Sequence, residues 1–126
     1  MNQYLKTVRQ KFRYKEFVQV LNGILQLTNR ETAVLARLME IDDDWPTELL
    51  DIKNIVSAEC RKRIIKEERI NKSNLTNYIK LFKSKGIILT DEEGRGYINP
   101  TFKPADLNGK YKILFILDFE KEEQND

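Results

Sequence analysis

In residues 70–99, Leu75, Tyr78, Ile79 and Phe82 stand at i, i+3, i+4 and i+7, and Gly86 follows four residues later. That spacing lines one face of a helix with apolar side chains and predicts a helix over residues 74–85, with Ser73 as its cap. Gly86 sits where a left-handed glycine closes a helix. Ile87-Ile88-Leu89-Thr90 then reads as a strand, residues 91–96 as a turn rich in glycine and acid, and Tyr97-Ile98-Asn99 as the returning strand, stopped by Pro100. A helix running straight into a short hairpin leaves few architectures open.

The segments upstream narrow them further. Thr28 with Glu31 three residues on is a capping box, opening a helix over residues 29–41 with Ala33, Val34, Leu38 and Ile41 at helical spacing. Ser57 caps a second helix over residues 58–69, with Cys60, Ile64 and Ile65 inward, and Ile70-Asn71-Lys72 is a turn. Between these two helices, residues 47–56 read as one helical turn followed by a short strand at Ile55-Val56. At the ends, residues 14–21 (Y-K-E-F-V-Q-V-L) read as a strand ended by Asn22-Gly23, and residues 111–119 (Y-K-I-L-F-I-L-D-F) as a continuously apolar strand after a loop with Pro104 and Asn108-Gly109. The chain of 126 residues suits one domain.

Several chemistries fall away. Histidine is absent and Cys60 is the one cysteine, so the chain has no imidazole acid or base, no catalytic triad containing histidine, no internal disulfide and no thiolate metal cage. Cys60 reads as a small buried apolar residue, since no histidine can activate it. No acid/base constellation rises above surface charge, so we expect no enzyme, no cofactor and no metal. No apolar run reaches the length of a membrane span and no signal peptide opens the chain, which implies a cytoplasmic protein, or a component of a virion assembled there.

Charge is segregated. The net charge is +2, but residues 1–15 carry five bases and no acid, and residues 42–51 carry five acids and no base. Residues 53–85 carry ten bases against three acids, and the tail from Asp118 has a net charge of −4. The basic block coincides with the two helices that flank the Ile70-Asn71-Lys72 turn.

Helix, short strand, helix, turn, helix and hairpin is the order of a winged helix-turn-helix domain. The expected fold is therefore α+β: a three-helix core and a β-hairpin wing over about residues 27–102, with a basic arm (1–13), extra strands (14–21 and 111–119) and an acidic tail (120–126). In such a domain the second helix of the tight pair enters the major groove. The outward stripe of helix 74–85 is Ser73, Asn77, Lys80 and Ser84, with Thr76 on its shoulder and Lys72 at the entry. Asparagine can pair with adenine, lysine can reach guanine or phosphate, and a helix N-terminus offers free N–H groups to phosphate. Any surface helix also turns polar residues outward. Arg61, Lys62, Arg63, Lys66 and Arg69 on the second helix are candidate phosphate contacts, though they wrap round the helix and cannot all face DNA, and Arg95 is the one wing residue that would help, since Asp91, Glu92 and Glu93 would repel phosphate.

L-T-N-R-E-T-A-V-L-A-R-L (residues 27–38) resembles the opening helix of MarR-type regulators, and residues 70–88 resemble their recognition helix running into the wing. G-Y-I-N-P (residues 96–100) resembles the wing exit of RepL-type plasmid replication initiators and phage relatives. The resemblance implies binding of double-stranded DNA in transcription or replication control, with Ser73, Thr76, Asn77 and Lys80 at base-reading positions. The acidic wing and tail keep open a rival: a non-enzymatic structural or adaptor protein of a phage particle or replication assembly. The strand at 111–119 can cover the core, pair across a homodimer axis, or dock in a larger assembly.

Overall fold

The computed structural model describes residues 13–103, and residues 105–107 and 110–112 in their backbone course. The architecture is α+β and mostly helical. Four α-helices, α1 (Arg13–Leu25), α2 (Asn29–Asp43), α3 (Ala58–Glu68) and α4 (Lys72–Ser84), precede an antiparallel hairpin, β1 (Ile88–Thr90) and β2 (Gly96–Ile98). Short 3-10 segments span Thr47–Ile52 and Pro100–Phe102, and β3 (Ala105–Leu107) pairs antiparallel with β4 (Lys110–Lys112). No helix among the described residues is long and apolar enough to cross a membrane.

Helix α2 is the central element, packed against α1, α3, α4 and β2. Its capping box forms as the sequence predicts: the Thr28 side chain accepts from the Glu31 N–H, and the Glu31 carboxylate accepts from the Thr28 N–H. Val34, Leu35, Leu38 and Met39 bury their side chains, joined by Ile64 of α3, Leu75, Ile79 and Phe82 of α4, and Ile88 and Ile98 of the hairpin. Cys60 is half-buried rather than buried, packed at the edge of this core with its Sγ 3.6 Å from the Asn54 carbonyl oxygen.

The first helix corrects the sequence reading. Residues 14–21 form no strand; they lie in α1, and Asn22-Gly23 falls inside it. Phe17, Val18, Leu21 and Leu25 make a helical stripe buried against α2. Each contributes about 1.5–3 kcal/mol on burial, more than the ~1 kcal/mol span of strand preference that Val18 and Val20 express and the ~1 kcal/mol cost of a helical glycine. Asn22 does act on a turn, but a later one: its amide donates to the Leu27 carbonyl (3.0 Å) and accepts from the Leu27 N–H (2.6 Å), closing the bend at Gln26. At the other end of α1, Arg13 pairs with Asp43 at 2.6 Å, and the Tyr14 hydroxyl donates to the same carboxylate. Burial and that hydrogen bond push the Tyr14 pKa upward, so the hydroxyl stays a donor.

Residues 55–56 are a turn rather than a strand, although Ile55 donates its N–H to the Gly96 carbonyl (3.1 Å) and the Asn54 side chain accepts from the Gly96 N–H (2.9 Å). The hairpin is thus clasped at its base by the segment before α3. A Cβ at Gly96 would stand 2.9 Å from Val56 Cγ2, so this close approach needs glycine. The apolar run at 113–119 and the tail at 120–126 lie outside the described residues, as does most of the basic arm.

Among the described residues, Asp42 is the exception to the apolar interior. It is 2% exposed, accepts from the Ile98 N–H at 3.0 Å, and is flanked by Lys53 Nζ at 3.1 Å and by Lys103 Nζ. One buried carboxylate thereby joins the end of α2, the loop before α3, β2 and the chain leaving the hairpin.

Candidate nucleic-acid interface

The turn between α3 and α4 is three residues long. Arg69 takes the left-handed conformation (φ 53°), Ile70 buries its side chain, and Asn71 caps α4 by accepting from the Asn74 N–H at 2.7 Å. Capping by Asn71 corrects the expectation for Ser73. Asparagine caps as well as serine, and a cap at 71 puts Ile70 and Leu75, both buried, at the two positions of a hydrophobic staple. Helix α4 therefore begins at Lys72, and Ser73 lies in its first turn with its hydroxyl unpaired among the described residues. Gly86, at φ 73°, ends the helix as the sequence predicts.

Leu75, Ile79 and Phe82 hold one side of α4 in the core. The opposite side exposes Ser73, Asn77, Lys80 and Ser84 within roughly 60° of the helix circumference. Among the described residues the side chains of Asn77 and Lys80 have no partner, so their donors and acceptors are free to meet a ligand. Thr76 sits half-buried on the shoulder and spends its hydroxyl proton on the Lys72 carbonyl at 3.0 Å, leaving acceptor capacity only. Lys72 is exposed at the N-terminal entry.

The candidates on α3 and the hairpin divide. Lys62 and Lys66 stand one turn apart on α3, exposed and without an ion pair among the described residues. Arg61 lies on another side of the helix, half-buried, its Nε donating to the Val56 carbonyl at 2.8 Å. Arg95 is drawn inward: its guanidinium pairs with Asp91 at 3.3 Å and with Glu93, and donates to the Asp51 carbonyl. The hairpin tip therefore presents Asp91, Glu92 and Glu93 to solvent with its one arginine already neutralised. Five residues, 91–95, join the strands with Gly94 at φ 80°, and Asp91 accepts from the N–H groups of Glu93 and Arg95, both at 2.9 Å. Those bonds, the one from Arg95 first, hold the Asp91 carboxyl below its usual pKa.

Sequence reading missed how much of the basic block is committed elsewhere. Lys53 serves Asp42, Arg63 pairs with Glu67 at 3.1 Å, and Lys85 donates to the Leu25 carbonyl at 2.9 Å. The acids are committed too, since Arg37 of α2 pairs with Glu67 and Glu68. What stays exposed and unpaired among the described residues is Lys62, Lys66, Arg69, Lys72, Lys80 and Lys83. Arg69 is a candidate phosphate contact from the sequence, whereas Lys83 enters there only through the charge count. A half-open cleft of about 310 Å³ lies between the end of α2 and the start of α3, walled by Trp45, Pro46, Cys60, the acids Glu40, Asp44 and Glu59, and Arg63.

The chain matches no protein-family model, and no curated protein or solved structure matches it either.

Proposed function

We propose that the chain is a non-enzymatic winged helix-turn-helix protein that binds double-stranded DNA in transcription or replication control. The observation that carries the reading is the three-residue turn joining α3 to α4, with Ser73, Asn77 and Lys80 turned out along one face of α4 and free of partners among the described residues. In this reading α4 lies in the major groove, Asn77 and Lys80 face base edges, and Lys72 and Ser73 meet the phosphate beside the helix entry. Lys62 and Lys66 neutralise backbone phosphates, and the hairpin is the wing. Arg61 and Arg95 are held by the protein's own carbonyls and acids, so they act on local structure more than on DNA.

The rival reading, an adaptor in a phage particle or replication assembly, draws support from the acidic hairpin tip, which would sit poorly against phosphate. A binding titration with a fluorescent duplex of mixed sequence separates the two. DNA binding predicts that log K falls linearly with log salt, with a slope of about −0.9 per phosphate neutralised. No binding at 50 mM salt would favour the adaptor.

A further inference from the structure

Leu49, Leu50 and Ile52 project from the segment after α2 with 42%, 54% and 56% of their surfaces exposed, three large aliphatic side chains within four residues. Acids rim them. Asp44, Glu48 and Asp51 are exposed and have no cationic partner among the described residues, and the Arg95 bond to the Asp51 carbonyl brings the acidic hairpin tip alongside. An apolar patch with an acidic border calls for an apolar occupant with basic flanks.

The chain carries such a segment. Residues 1–12 hold Leu5, Val8 and Phe12 at i, i+3 and i+7, with Lys6, Arg9 and Lys11 interleaved and no acid. The segment enters the fold at Arg13, which is bonded to Asp43, four residues before the segment Thr47–Ile52 begins. Twelve residues reach roughly 18 Å as a helix and at most ~40 Å extended, enough to span that loop. The other unassigned apolar stretch, residues 113–119, leads into a tail, residues 120–126, of net charge −3, which the acidic rim repels.

We propose that residues 1–12 of the chain dock on the patch of Leu49, Leu50 and Ile52, their basic side chains pairing with Glu48, Asp51 and the hairpin acids. The test uses the full chain with Cys60→Ser, carrying Val8→Cys together with Leu49→Cys, Leu50→Cys or Ile52→Cys in turn, and Val8→Cys with Lys83→Cys as the control. Disulfide formation is followed by mass and by non-reducing electrophoresis. We expect an intrachain disulfide with at least one patch position, forming about tenfold faster than in the control because docking raises the effective concentration. Changing Lys6, Arg9 and Lys11 to Glu should slow it to the control rate, and adding Glu48→Lys and Asp51→Lys should restore it. All three patch positions reacting at the control rate, disulfides formed between chains, or a rate indifferent to charge reversal would overturn the proposal.

Discussion

Asp42 offers a sharp test of how the hairpin is held to the helices. It lies in the last turn of α2, where the helix dipole opposes a negative charge, and it is nearly fully buried. It is tolerated there because Lys53 and Lys103 face it and the Ile98 N–H donates to it. Asp42→Ala strands the N–H of Ile98, a fully buried residue, at a cost of about 1–3 kcal/mol. It also removes the partner of two lysines, which are partly exposed (19% and 36% of their side chains) and can turn to water, so the total should fall near the lower end of the ~3–5 kcal/mol for a broken buried pair. Asp42→Asn keeps an acceptor for Ile98 and loses the charge, and should cost about 1–2 kcal/mol. Urea unfolding followed by circular dichroism should show a lower midpoint at unchanged slope, in the order wild type, Asn, Ala. Wild-type midpoints for both variants would refute the reasoning.

Other expectations follow from single sites. Arg69→Gly removes a side chain from a left-handed backbone and should raise stability by about 0.5–1 kcal/mol in thermal unfolding, with the Arg30 bond to the residue 69 carbonyl retained. Because its pKa is depressed on folding, Asp91 supports the hairpin tip above the ordinary aspartate range and loses that contribution as pH falls through the lowered value; carboxyl NMR shifts should titrate below 3.8. Lys62→Ala and Lys66→Ala should each flatten the salt dependence of DNA binding by about one unit on every sequence alike.

Local chemistry made much of the helical framework legible. The Thr28–Glu31 box, the Ser57 cap and Gly86 each fix a boundary by hydrogen bonds or backbone conformation within a few residues, and each stands where the sequence put it. Long-range relations were hidden. Helix α1 owes its conformation to a face of α2, so its valines and Asn22-Gly23 misled when read alone. The burial of Asp42 depends on Lys53, Ile98 and Lys103, none of them neighbours in sequence. Counting charge likewise could not tell Lys80, which has no partner among the described residues, from Arg95, which three groups hold. Strand β3 falls where the sequence reads as loop, because Ala105-Asp106-Leu107 carries no strand signal of its own and gains its ladder from Lys110–Lys112.

The most direct measurement concerns Asn77. A pool of random duplexes is enriched on the wild-type protein, and the affinities of wild type and Asn77→Ala are then compared on the selected site and on a scrambled duplex at one salt concentration. A helix α4 that reads bases predicts enrichment of a defined site and a loss of about 1–3 kcal/mol on that site, with little change on the scrambled duplex. No enrichment, or the same loss on both duplexes, would contradict a base-reading α4.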